Sequence, residues 1–210
     1  MKIRPIILAG GVGESLWPIS RELAPKQFNE TLFDITLFEK TLLRCKSSIY
    51  SSPIIVTNKL YKDKVMLSLQ SCNIKSAKII METEKRNTAP AIMSALQLVS
   101  KNEVLAIFSS DHLISTKKEF NLCVSNAARH AESKQDVIVF GVEPSFAHTG
   151  YGYIEIAKSK SERDLHRVIK FHEKPNYLTA KKYIKNQSYF WNCGIFILTK
   201  NLLLEEIRSR

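Results

Sequence analysis

Three glycines in four positions, Gly10-Gly11-Val12-Gly13, directly follow the apolar run Ile6-Ile7-Leu8-Ala9. An apolar run bounded by glycine predicts a buried, parallel strand. Glycines just beyond such a strand let backbone N–H groups close around an anion, so the chemistry on offer is phosphate binding. A tight turn is the plainer alternative. The spacing is not that of the dinucleotide fingerprint, and no Gly-Lys-Ser/Thr follows as in a P-loop. Further polar groups recur at the ends of apolar runs. Arg86-Asn87-Thr88 precede a helical pattern, and Asp111-His112 follow Val104–Phe108. Each has a bland reading: Asn87 or Thr88 as a helix cap, Asp111 as a turn former, His112 as a satisfied histidine. Likewise Glu173-Lys174-Pro175 reads as a surface turn and Trp191-Asn192-Cys193-Gly194 as packing around a bulge.

Ordinary secondary structure must position these groups. Helical spacing of apolar residues predicts helices over 34–45, 60–69, 89–101, 117–133, 177–186 and from 201 onward. In the third of these, Ala91, Ile92, Ala95, Leu96 and Val99 share one face, with Pro90 in the first turn, where its missing N–H costs little. Short apolar runs predict strands at 53–57, 77–81, 104–108, 137–142 and 189–198. Alternation of strand and helix through residue 142 predicts an α/β doubly wound, mostly parallel, Rossmann-like sheet in three α/β/α layers. Beyond it, 150–156 and 165–173 read as paired, half-exposed strands. One domain over 1–210 is expected, in two halves, 1–145 and 146–210. Ligands of such sheets sit outside the C-terminal strand ends.

Composition narrows the class. The chain has 210 residues and a net charge of +11, with its basic residues scattered rather than clustered. No nucleic-acid partner is expected; a basic surface also suits phosphate-bearing small molecules. No apolar run approaches the ~20 residues of a membrane span, and no signal peptide is evident. Cys45, Cys72, Cys123 and Cys193 are widely spaced and read as buried free thiols in a reducing cytoplasm. A nicotinamide-dependent oxidoreductase is excluded: the second strand ends in Thr57-Asn58, without the acidic residue that holds a ribose.

Taken jointly, the motifs are specific. The glycine loop with Trp17-Pro18 and Pro25-Lys26-Gln27-Phe28 comes first. Arg86-Asn87-Thr88-Ala89-Pro90-Ala91, Asp111-His112, Thr149-Gly150-Tyr151-Gly152-Tyr153-Ile154, Glu173-Lys174-Pro175 and Trp191-Asn192-Cys193-Gly194 then follow in that order. This series closely resembles the sugar nucleotidyltransferases, and among them the bacterial mannose-1-phosphate guanylyltransferase (GDP-mannose pyrophosphorylase) group, over nearly the whole chain. The resemblance implies the nucleotide-diphospho-sugar transferase fold and a Mg²⁺-dependent reaction of GTP with mannose 1-phosphate, giving GDP-mannose and pyrophosphate. On the matching positions, Gly10, Gly11 and Gly13 would cradle the nucleotide phosphates. Arg86, Asn87, Thr88 and Pro90 would lie against the nucleoside. Lys26 would meet charge at the reaction centre, and Asp111 would hold the metal. Gly150, Glu173 and Asn192 would meet the sugar and Lys174 its phosphate.

Two departures stand out. Where the family carries Thr-Arg in the glycine loop, this chain has Glu14-Ser15. That exchange removes one positive charge and adds one negative. Like charges at ~4 Å repel by about 4 kcal/mol at an effective dielectric of 20. Impaired catalysis is therefore expected, with a catalytically inactive nucleotide-sugar-binding protein or gene remnant as the alternative. The family also continues beyond the matching segment, supplying a second metal-binding Asp, so the fold is expected to be truncated at its C-terminus. Leu202 to Leu204 would then be partly exposed and open to association or homo-oligomer formation through the last helix.

Overall fold

The computed structural model describes residues 2–11, 20, 24–29, 34–82, 88–157 and 165–208. Its elements are β1 (Ile3–Leu8), α1 (Leu37–Arg44), β2 (Ile54–Asn58), α2 (Lys62–Ser71), β3 (Lys78–Glu82), α3 (Thr88–Ala95), β4 (Val104–Ser109) and α4 (Lys117–Lys134). Then follow β5 (Ile138–Val142), β6 (Tyr153–Ile156), β7 (Val168–His172), α5 (Tyr177–Tyr183), β8 (Tyr189–Thr199) and α6 (Lys200–Arg208). Two compact units divide the chain: Met1–Ile138 with Phe196–Arg210, and Val139–Ile195.

In the first unit β1 pairs in parallel with β2 and with β4, and β2 with β3. The end of β8 runs antiparallel to β4, Leu105 opposite Leu198. Pro5 is tolerated in this central strand because β2 pairs with β1 only from Ile6 onward. Alternation along the strands divides the core between two faces. Ile6, Ile54, Val56, Leu105 and Ile107 pack with the apolar stripe Ala91, Ile92, Ala95, Leu96 and Val99. Phe108, next in the alternation, meets Tyr50 and Phe120 at 6.0 and 5.7 Å between ring centres. Helices thus cover both faces, as a three-layer fold requires.

The predicted helix over 89–101 is shorter than expected. It ends at Ala95, and Leu96–Leu98 tighten into a 3-10 turn. Lys200 Nζ explains the ending: it donates to the carbonyls of Leu96 and Val99 at 2.8 and 2.5 Å, satisfying groups that a continuing helix would use. The leucines of α6 are half-buried, and Leu203, Leu204 and Ile207 pack on the core rather than standing free.

The second unit is antiparallel. β6 pairs with β7 and with the start of β8, and β5 pairs with β8. The sheet is therefore mixed rather than mostly parallel, because the connection from β6 to β7, residues 157–167, is shorter than a crossover needs and reverses the chain. The first of the two paired strands is also shorter than expected, beginning at Tyr153 rather than residue 150. α5 lies against this sheet through Tyr183, whose ring stacks on Tyr189 at 4.1 Å. The cysteines are free, but Cys123 is exposed and Cys193 half-buried, so only Cys45 and Cys72 fit the expectation of burial. Among the described residues no helix is long and apolar enough to cross a membrane.

Candidate functional site

Parallel pairing carries the ends of β1, β2, β3 and β4 to one edge, since Leu8 lies level with Val56 and Ser109, and Asn58 with Glu82. The glycine loop leaves from this edge. Ala9 N–H donates to Val56 O at 2.8 Å, and Thr57 Oγ1 donates to Ala9 O at 3.1 Å, so the loop's first residue is fastened before it turns. Gly10 follows under close constraint: a Cβ there would stand 2.9 Å from Glu82 Oε2. Gly11 is exposed and has open space around it. A carboxylate beside Gly10 accepts from N–H donors and repels phosphate, so Glu82 suits the base end of a nucleotide better than its phosphates. The sequence puts Glu82 at the end of a strand but gives it no role, since only register places it against the glycine.

Lys26 reaches the same edge by an anchored turn. Phe28 is buried, with its ring 5.1 Å from Phe38 and 5.7 Å from Tyr61. Gln27 Nε2 donates to Gly11 O at 2.6 Å. With Gln27 and Phe28 held inward, Lys26 is the residue of the turn that projects, and its Nζ stands 2.6 Å from Asp111 Oδ2. Asp111 follows β4, and its Oδ1 accepts from Ser109 Oγ. Burial alone would raise the Asp111 carboxyl, but Lys26, Ser109 and the nearby His112 outweigh it and hold it below the usual carboxylate range. Burial pushes the His112 imidazole down; Asp111 opposes this, while Arg44 and Lys26 add to it. Arg44 also escaped the sequence reading. It is buried at the end of α1, donates to Thr41 Oγ1 at 3.0 Å and lies over the Phe120 ring, while its Nε has no partner among the described residues. Thr88 and Pro90 open α3 beyond β3 and are exposed. Gly13, Glu14, Ser15, Arg86 and Asn87 lie outside the described residues.

In the second unit the predicted sugar residues gather around Gly152. A Cβ there would stand 3.1 Å from Glu173 Oε2 and 2.6 Å from Phe171 Cζ, so only glycine fits without displacement. Gly152 O accepts from Asn192 N–H at 2.8 Å, and Asn192 Oδ1 accepts from Gly194 N–H at 3.1 Å. Gly194 has a φ of +68°, the left-handed region that glycine enters freely. Lys174 has a φ of +40°, which a lysine before proline adopts only at a cost. Its Nζ lies 3.3 Å from Glu173 Oε1, with both side chains largely exposed, so the pair adds little to stability. Gly150 is not part of this gathering; its N–H is taken by His148 Nδ1 at 2.9 Å.

Among the described residues no three His, Cys, Asp or Glu side chains are grouped to hold a metal. Asp111 nonetheless fits a hard cation completed by phosphate oxygens and water: each of its oxygens has one hydrogen-bond partner and keeps lone-pair capacity.

Two glycines, a lysine and a carboxylate thus share one edge of the parallel strands. Residues 4–209 match the nucleotidyl transferase family. The chain belongs to that family. It is 36% identical over 214 residues to the mannose-1-phosphate guanylyltransferase of Salmonella montevideo, an alignment covering 99% of this chain and 45% of the relative. It is likewise 36% identical over 209 residues to the alginate biosynthesis protein AlgA of Pseudomonas aeruginosa, covering 98% and 43%. The chain thus spans about half the length of the curated relatives it matches. Among solved structures it is similar to one described as mannose-1-phosphate geranyltransferase from Thermus thermophilus, with a TM-score of 0.83 and 28% identity, covering 99% of this chain and 60% of that one. A structure described as mannose-6-phosphate isomerase from Helicobacter pylori gives a TM-score of 0.83 at 27% identity, covering 100% and 75%. The resemblance stated from the motifs and the nucleotidyltransferase fold are both borne out.

Proposed function

We propose that this nucleotidyl transferase binds GTP and mannose 1-phosphate and directs nucleotidyl transfer between them, slowly. The observation that carries the reading is the Lys26–Asp111 pair, 2.6 Å apart at the strand edge beside Gly10 and Gly11. A cation and a carboxylate in contact there are what two polyanions and a metal require. In the reaction, a phosphate oxygen of mannose 1-phosphate attacks the α-phosphorus of GTP. The new P–O bond gives GDP-mannose, and pyrophosphate leaves. Gly10, Gly11 and Gly13 bind the nucleotide, Gly11 and Gly13 with N–H groups around the phosphates and Gly10, beside the Glu82 carboxylate, nearer the base. Lys26 turns from Asp111 to the transferring phosphoryl group, where charge develops. Arg86, Asn87, Thr88 and Pro90 line the nucleoside. Glu173 accepts from sugar hydroxyls with Asn192 across Gly152, Gly150 meets the sugar from its own turn, and Lys174 offsets the sugar phosphate. Asp111 would hold Mg²⁺, which supplies charge neutralisation on the phosphate oxygens when bound.

Slowness follows from Glu14-Ser15. An arginine acting on a transferring phosphoryl group contributes ~10³-fold or more in rate in related chemistry. The reading is tested by thermal melting with GTP or GDP-mannose and Mg²⁺, and by pyrophosphate release. A ligand-dependent rise in melting temperature is the expected result. No shift at millimolar ligand overturns the binding proposal. Turnover at ~1–10³ per second overturns the slowness. The double change Glu14→Thr with Ser15→Arg should tighten GTP binding; unchanged affinity would shift the defect away from the loop.

A further inference from the structure

We infer that His148 is a positioning residue for the sugar-phosphate loop, acting through two contacts at once. Its Nδ1 accepts the Gly150 N–H at 2.9 Å. Its ring stacks on Tyr151 at 3.9 Å with an interplanar angle of 13°. The inference rests on the proposed function for its ligand, but its structural content does not.

The backbone of His148 is itself immobilised. Tyr153 is fully buried, and its hydroxyl both accepts from His148 N–H at 3.1 Å and donates to His148 O at 3.0 Å. A buried phenol thereby holds both polar backbone groups of one residue, and that residue's ring holds Gly150 and Tyr151. Gly150 leaves room for the ring: a Cβ would stand 2.8 Å from His148 Cε1 and push the imidazole aside. Tyr151, fixed by the stack, packs edge-on against Trp191 at 5.4 Å, and Phe146 does so at 5.0 Å. Trp191 Nε1 is buried and has no hydrogen-bond partner among the described residues, so ring contacts rather than polar bonds locate the indole. Asn192 follows Trp191 directly and is tied to Gly152 O. The chain of contacts therefore runs from His148 through Tyr151 and Trp191 to Asn192, one of the proposed sugar contacts.

The two roles call for different chemistry, and substitutions separate them. Asparagine can accept from a backbone N–H two residues on, as in an Asx turn, but cannot stack as an aromatic ring. Phenylalanine stacks but accepts nothing. The experiment measures Gly150 amide exchange and Trp191 emission in a Trp17→Phe background, on ligand-free protein. His148→Ala should speed Gly150 exchange about tenfold and red-shift the emission. His148→Asn should restore slow exchange without the emission, and His148→Phe the emission without slow exchange. Calorimetry then reads function: His148→Ala should weaken mannose 1-phosphate binding about tenfold while GTP affinity stays within about twofold. Wild-type exchange and emission in His148→Ala overturn the positioning role. Wild-type protein that binds neither ligand overturns the proposed function and leaves the ligand-free result to decide the positioning role. Equal weakening of both ligands overturns the assignment of the loop to the sugar phosphate.

Discussion

The ion pair between Lys26 and Asp111 can be tested without any ligand. At 2.6 Å the two charges attract by about 6 kcal/mol at an effective dielectric of 20. Desolvation cancels much of this. The side chains keep 22% and 23% exposure, between surface pairs worth about 0.2–1 kcal/mol and buried ones whose disruption costs about 3–5 kcal/mol. A coupling of about 1–3 kcal/mol is therefore expected. Lys26→Met leaves the Asp111 carboxylate with Ser109 and His112; Asp111→Asn leaves Lys26 without its anion. Urea unfolding of the wild type, both single variants and the double variant closes a cycle that isolates the pair. The double variant should be more stable than the sum of the single losses predicts. A coupling below about 0.3 kcal/mol, within ordinary additivity error, would refute the claim that Lys26 is held on Asp111 in the free protein. Lys26→Met should also weaken GTP binding. Tighter GTP binding in that variant would remove Lys26 from the phosphate site.

Other expectations concern the elements behind the site. Phe28→Ala should cost about 3–5 kcal/mol in urea unfolding, because it empties the contact with Phe38 and Tyr61 that anchors the Lys26 turn. Gly152→Ala should cost about 1–3 kcal/mol and weaken sugar-phosphate binding, since its methyl displaces Phe171 and Glu173; unchanged affinity in calorimetry would argue against Glu173 as a sugar contact. Burial would raise the Glu103 carboxyl, but Arg4 and Ser100 outweigh it and leave it below 4.5. A depressed carboxyl stabilises above its unfolded value and ceases to as pH falls through its folded one. Glu103→Gln should therefore be less stable than wild type at pH 7, with the gap closing on acidification below 4.5; a constant gap in pH-dependent melts would contradict this. Finally, Asp111→Asn should abolish the Mg²⁺-dependent part of the GTP-induced rise in melting temperature while leaving the metal-free part.

Some of this was legible in the chain alone. The apolar runs of β1, β2 and β4 and the stripe from Ala91 to Val99 name their own partners, because strand and helix periods are local and burial follows from them. The glycine loop announced a backbone that must bend sharply, and the ordered series of motifs named the family. Other features depend on residues far apart meeting in register. Glu82 against Gly10, Gln27 on the Gly11 carbonyl and Lys26 on Asp111 join positions 72, 16 and 85 apart, and no local period encodes such distances. The same holds for the early end of α3, which is set by a lysine 104 residues beyond Leu96. Chain order determined which groups this protein has for binding phosphate and sugar. Tertiary packing decided which of them touch, because hydrogen bonds and ion pairs act over only a few ångströms and only the folded sheet brings the strand ends that close.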